Sequence, residues 1–331
     1  MGRAALAQAR RRRKTLSVLG FTLGVLALAA AIWSVAGAGG AWQAAQRHVL
    51  DSSRVELLLL AIALPPLHII LSALALWALT RQYGRVGFLE MCWLVSGAWL
   101  LNFLPLRPGL LGRVAYHKAI NGIAIRDSAR ALVLSIATGA AAILLAFLIA
   151  IFVANAPWGP WVLALPVSIC GLIAWSTWRG QSLDADRLRP FPMLAIAVGA
   201  RYADVLVWSL RYLLVFEAIG MPVRLVQSVA IASVGQLASL VPFVGNGLGL
   251  REWAVGLASE VLPNWTARNA DSSLLVSGQF TTAQVGVLAD LMNRLVEVVV
   301  CMPLALIGLA LVARRMRPSS SGPPPSRDAG V

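Results

Sequence analysis

Two short stretches constrain this chain more than anything else in it. They are Leu104-Pro105-Leu106-Arg107-Pro108-Gly109-Leu110-Leu111-Gly112-Arg113 and Val241-Pro242-Phe243-Val244-Gly245-Asn246-Gly247-Leu248-Gly249-Leu250-Arg251-Glu252. Each sets proline, glycine and arginine in the middle of apolar sequence long enough to lie in a membrane. Proline and glycine interrupt the helical ladder, and backbone groups freed in hydrocarbon cost several kcal/mol unless protein or water satisfies them. An arginine at that depth adds about 2.5–3.5 kcal/mol on insertion scales. Paired helix breaks at corresponding places in two halves of a membrane protein are the best sequence pointer to a transport site.

That these stretches lie in a membrane follows from their surroundings. The chain is 59% hydrophobic and 13% charged, against about 25% charged in soluble domains, and apolar segments recur from Leu16 to Val312. No large soluble domain is expected within these 331 residues. The net charge of +14 is carried almost wholly by arginine, since Lys14 and Lys118 are the only lysines. These charges lie between apolar segments, so they orient the chain in a bilayer and are not a nucleic-acid surface. Cys92, Cys170 and Cys301 are far apart within apolar segments and read as small hydrophobes. His48, His68 and His117 are equally scattered, and nothing points to a metal or another cofactor.

Full crossings are expected over about Leu16–Ala36, Val55–Leu79, Ala131–Val153, Trp161–Trp178 and Phe191–Glu217, with a last one within Thr281–Val312. The first follows Arg10-Arg11-Arg12-Arg13-Lys14 and is too long for a signal-peptide core, so it reads as a retained span. The broken segments Val86–Ile125 and Leu225–Leu262 read as re-entrant hairpins. Arg81, Arg85, Lys118, Arg126 and Arg130 flank the first and hold both its ends in the cytoplasm; only Arg224 and Arg268 flank the second, which enters from outside. In this arrangement 18 of the 28 basic residues fall inside and 4 outside, as the positive-inside rule requires, with both termini cytoplasmic. A separate crossing over Ser273–Ala289 is rejected because it would export Arg314, Arg315 and Arg317. The expected fold is therefore all-α: a polytopic bundle of six spans and two opposed hairpins in inverted repeats. Residues 1–14 form a basic cytoplasmic N-terminus, 15–315 the membrane domain and 316–331 a disordered cytoplasmic tail.

Gly112 and Gly249 lie 137 residues apart, each with a proline seven residues before it and an arginine just after, Arg113 and Arg251. If the hairpins meet, a helix starting after Gly249, and another after Gly112, would aim N-terminal amides and the positive dipole end at the gap, which suits an anion. Arg107, Arg113 and Arg251 would add fork-shaped donors for phosphate oxygens, with Glu252 holding Arg251 or stabilising its helix start. Arg294 and Glu297 are one turn apart and can interact, with Asp290 on the same face; Arg201 and Asp204 repeat the spacing. Such in-span charges line a cavity or bundle interior. A structural pairing of Arg251 and Glu252 with neighbours such as Arg294 and Glu297 stays open beside the binding role.

At these residues the chain resembles the transmembrane, flippase-like region of the lysylphosphatidylglycerol synthase family. Gly247-Leu248-Gly249-Leu250-Arg251-Glu252 is similar to that family's glycine-rich signature, Pro108-Gly109-Leu110-Leu111-Gly112-Arg113 to its earlier P-G-x-x-G motif, and Asn293-Arg294-Leu295-Val296-Glu297 to its embedded R-x-x-[DE] pattern. Asn246 replaces a glycine, and Ser135-Ile136-Ala137-Thr138-Gly139 stands where the family often has an Arg and an Asp. Family members that modify lipid carry a soluble aminoacyl-transferase domain after the membrane part, and lipid aminoacylation is not the activity expected of residues 1–331.

The resemblance implies a stand-alone inner-membrane protein that moves an anionic phospholipid or lipid-linked phosphate between leaflets. Arg107, Arg113, Gly247, Gly249, Arg251, Glu252, Arg294 and Glu297 are its expected substrate contacts. No phosphate-binding loop, Ser/His/Asp set, HExxH or CxxC is present, so no enzymatic role is expected. Two other readings stay open: a scaffold for a neighbouring lipid or glycan enzyme, or a lipid-phosphate transferase using Asp204, Glu217 or Glu252. Beyond lipid, the expected partners are a second copy of the chain or such an enzyme.

Overall fold

The computed structural model describes residues 3–37, 52–104, 107–179, 190–241, 244–261 and 281–317. All its regular structure is helical: α1 (Arg3–Ala36), α2 (Ser52–Thr80), α3 (Phe88–Leu101), α4 (Pro108–Ala119), α5 (Ile125–Phe152), α6 (Gly159–Trp178), α7 (Pro190–Ala218), α8 (Leu225–Ser239), α9 (Leu250–Val261) and α10 (Thr282–Met316). Six of these, α1, α2, α5, α6, α7 and α10, are long and apolar enough to cross a membrane, and they coincide with the six expected crossings. Their outer faces expose large apolar side chains such as Leu23, Leu59, Val133, Leu172 and Leu306, a surface that hydrocarbon solvates and water does not. The chain is a multi-pass membrane protein. The tail from Pro318, and the residues of Ser273–Ala289 before Thr281, lie outside the described residues. The last span starts at Thr281, where its hydroxyl accepts from Gln284 N (3.2 Å) and its own N–H donates to Gln284 Oε1 (2.9 Å), a capping box.

Both broken segments are helix pairs that fold back on themselves, α3 on α4 (hairpin 1) and α8 on α9 (hairpin 2). The long helix α10 shows how they are opposed. Along its C-terminal half runs α3: Glu90 pairs with Arg315 (3.2 Å), Gly97 abuts Leu309, and Trp99 Nε1 donates to Glu297 Oε1 (2.8 Å). Along its N-terminal half runs α9: Arg251 pairs with Asp290, while Gly256 abuts Ala283 and Val287. The hairpins therefore enter from opposite ends and meet beside Asp290–Glu297. Their tips touch directly, since a side chain at Gly245 would collide with the carbonyl of Phe103.

The repeat extends well beyond the loops. With α2, α3, α4 and α5 matched to α7, α8, α9 and α10, every packed pair in one half has a counterpart in the other. Thus α3 on α10 answers α8 on α5, α2 on α3 answers α7 on α8, and α4 on α5 answers α9 on α10; α2 and α7 pack on each other. Only α1 and α6 break the pattern: α1 covers α9 and the tip of hairpin 2, and α6 packs on α7.

One register expectation is corrected. Leu225 follows Phe88 by 137 residues, the spacing read from sequence, but Leu250 follows Pro108 by 142. Hairpin 2 has the longer tip, with a 3-10 turn over Gly245–Gly247. Gly112 consequently lies inside α4 instead of before it, and the residue matching Gly249 is Arg107. Both precede their helix with left-handed backbone, φ 72° at Gly249 and 47° at Arg107. Pro105 and Pro242, which marked the sequence repeat, lie outside the described residues.

Candidate functional site

Beside the hairpin tips lies a cavity of about 230 Å³. Arg107, Asn102 and Arg113 of hairpin 1, Ser135 and Gly139 of α5, His68 and Ser72 of α2, Arg201, Asp204 and Trp208 of α7, Gln236, Ser239 and Asn246 of hairpin 2, and Glu297 of α10 line it. Arg107 bridges the tips, its Nη2 donating to the carbonyls of Ser239 (2.7 Å), Val241 (2.7 Å) and Val244 (3.3 Å). All three acceptors are neutral, so its charge is solvated but not cancelled. Arg113 Nε donates to Gly109 O (3.4 Å). Arg201 donates to Ser135 Oγ (2.7 Å) and Ser72 Oγ (3.1 Å), and stands 3.9 Å from Asp204, an ion-pair distance beyond hydrogen bonding. Among the described residues, neither Arg107 nor Arg113 has a carboxylate within 4.0 Å. Arg107 Nε, Arg201 Nε, Gln236 Nε2 and Asn102 Oδ1 are buried here without a hydrogen-bond partner among the described residues, each costing about 1–3 kcal/mol unless another group or water completes it.

Behind this cavity, at α9 and α10, is a different arrangement. Arg251 pairs with Asp290 (3.0 Å) and Glu297 (3.3 Å), Arg211 with Glu297 (3.8 Å), and Arg294 with Glu252 (2.5 Å). Tyr212 Oη donates to Asp290, and Arg211 donates to the carbonyl of Asn293 (2.9 Å). All six charged residues are buried, three of each sign. Trp208 stands between the two regions. The guanidinium carbons of Arg211 and Arg251 lie 4.7 and 5.1 Å from its ring centroid, and its N–H reaches His68 on the cavity side (3.0 Å).

The expected substrate contacts thus divide. Arg107, Arg113 and Glu297 line the cavity, with Glu297 also belonging to the ion cluster. Arg251, Glu252 and Arg294 are paired within that cluster; Arg294 and Glu297, expected side by side, each turn to a different partner on α9. Gly247 has its carbonyl against Arg294 Nη2 (3.5 Å) and its α-carbon against Ser239. Gly249 has no room for a side chain against Gly24 and Ala27 of α1. The start of α9 is therefore covered by α1, whose Ala27 carbonyl also accepts from Trp253 Nε1 (3.0 Å), and does not open into the gap as expected. On the other side, the helix expected after Gly112 begins at Pro108, directly behind Arg107.

Sequence reading set His68 aside as isolated, but its Nδ1 lies 2.6 Å from Asp204 Oδ1. It also missed Ser72, Asn102 and Gln236. The available signal was a polar residue on an otherwise apolar helix, with His68 and Ser72 one turn apart. Comparison with protein-family models, with curated proteins and with solved structures finds no match for the chain.

Proposed function

We propose that this cavity receives the phosphate of an anionic phospholipid or lipid-linked phosphate, and that the protein carries it between the leaflets of the inner membrane. The observation behind this reading is the convergence of Arg107, Arg113 and Arg201 on one cavity with less carboxylate than guanidinium beside it. Of the two acids on its wall, Glu297 is already engaged by Arg251, Arg211 and Trp99. Buried charge is tolerated when it is paired, so excess positive charge at membrane depth calls for an anion from outside the chain. The volume is below the roughly 300–1,000 Å³ of pockets that enclose whole drug-sized ligands, so it suits a head-group phosphate whose acyl chains stay in the bilayer. Opposed hairpins meeting at the cavity offer a path from each side, as alternating access around a fixed site requires.

The resemblance to the flippase-like region of the lysylphosphatidylglycerol synthase family agrees with this task. The arginine distribution supports cytoplasmic termini, and the lack of a nucleotide-binding loop supports scrambling or secondary transport over a pump. The test is head-group translocation in proteoliposomes, with acyl-labelled phosphatidylglycerol bleached from outside. Wild type bleaches the inner-leaflet label, and Arg113→Gln slows this at least tenfold. Bleaching by wild type no faster than in protein-free vesicles, for both phosphatidylglycerol and a prenyl phosphate, overturns the proposal.

A further inference from the structure

We infer that His68 and Asp204 form a proton-binding site whose occupancy sets how tightly the cavity holds its anion; this rests on the anion-binding reading above. Two contacts converge on one nitrogen. His68 Nδ1 is 2.6 Å from Asp204 Oδ1 and 3.0 Å from Trp208 Nε1. An indole N–H only donates, so the Trp208 contact requires a lone pair on Nδ1. The Asp204 contact requires a proton between Nδ1 and Oδ1, because two lone pairs at that separation repel. Nδ1 has one lone pair, so both contacts hold together only when two donors share it, which happens when the proton belongs to Asp204: the neutral carboxylic acid and the indole N–H both point at Nδ1, and the imidazole carries its own hydrogen on Nε2. Once that proton leaves, Nδ1 can keep Trp208 or, as the other tautomer, donate to the Asp204 carboxylate, but not both.

The charged groups around the pair turn this proton into a signal. From α7, Arg201 stands 3.9 Å from Asp204 Oδ2 while its hydrogen bonds go to Ser72 and Ser135. From α2, Ser72 Oγ donates to Asp204 Oδ2 (3.4 Å). Glu297 faces the cavity from α10, Arg107 and Arg113 from hairpin 1, and Gln236 from hairpin 2. With Asp204 neutral, Arg201 keeps its full charge for an anion shared with Arg113. With Asp204 ionised, a small side-chain movement closes the 3.9 Å gap, and the carboxylate competes with that anion for the same guanidinium. Proton and anion therefore bind together, and each strengthens the other by the same factor. One proton is taken up at Asp204 when the anion binds and is returned to water when it leaves, which gives secondary transport its coupling ion.

The experiment is the affinity of purified protein for phosphatidylglycerol from about pH 5 to about pH 9. This phosphodiester keeps its single charge throughout, so any slope belongs to the protein. Wild-type affinity should fall as pH rises, approaching about tenfold per pH unit, the limit for one linked proton. Asp204→Asn, neutral at every pH, should bind tightly and without slope; if it does not fold, His68→Gln must displace or flatten the curve. A flat wild-type curve with good binding overturns the proton site and leaves the anion cavity standing, as does a variant that follows the wild-type curve. No binding at any pH overturns both.

Discussion

The face that hairpin 2 shares with α7 and α10 is filled with charge of both signs, whereas the matching face that hairpin 1 shares with α2 and α5 holds arginines around open space. The scaffold on the two sides is the same, pair of helices for pair of helices. On one side Arg211, Arg251 and Arg294 meet Glu252, Asp290 and Glu297, and Gly249 seats against α1 so closely that nothing else enters. On the other, α5 offers Ser135 and Gly139, and among the described residues no helix seats on the tip as α1 does on that of hairpin 2. The balanced, covered site holds the structure together, and the unbalanced, uncovered one is where the proposed anion would bind. Burying these six paired charges gives weak net stability, but removing one member leaves an uncompensated charge. The ion cluster thus forms, through Glu297, a fixed wall of the cavity.

Substitutions can break this contrast. Asp290→Ala strips Arg251 of its closest acid and Tyr212 of its acceptor, and should cost about 3–5 kcal/mol in detergent unfolding; a smaller loss than that of Arg113→Ala would remove the distinction. Gly249→Ala should cost about 1–3 kcal/mol, because the new methyl group meets Gly24 and Ala27 and the left-handed backbone disfavours it. Arg113→Gln should leave melting nearly unchanged while lowering phosphatidylglycerol affinity at least tenfold, about 1.5–3 kcal/mol for a charged hydrogen bond. Gly112→Ala should be the mildest. Its added methyl group meets nothing within 4 Å inside a helix, so a gain of up to about 1 kcal/mol is expected. Equal losses at Gly112 and Gly249 would mean that the two tips are packed alike.

The spans were legible because a long apolar run has few alternatives in structure, and the hairpins because Pro108, Gly245 and Gly247 cannot continue a lipid-exposed helix. The spacing of 137 read from the glycines recurs between the starts of the two first legs, Phe88 and Leu225, although hairpin 1 was expected to begin at Val86. The second legs do not keep it, since similar Leu-Gly-Arg runs conceal a longer tip in hairpin 2. The charges at depth were all visible, but not their partners. Arg251 has Glu252 beside it in sequence, yet a neighbour in helix order points away, and its acids come from α10. His68 and Ser72 gave no signal of Asp204, because a contact across 136 residues has no local periodicity.

The most direct test of the account is one binding measurement on two variants: phosphatidylglycerol affinity of folded Arg113→Gln and Arg251→Gln beside wild type, with melting recorded for each. The account predicts that Arg113→Gln melts like wild type and binds at least tenfold more weakly, while Arg251→Gln suffers chiefly in melting. Wild-type affinity in a stable Arg113→Gln, or a binding defect confined to a stable Arg251→Gln, would contradict it and move the site from the cavity to the ion cluster.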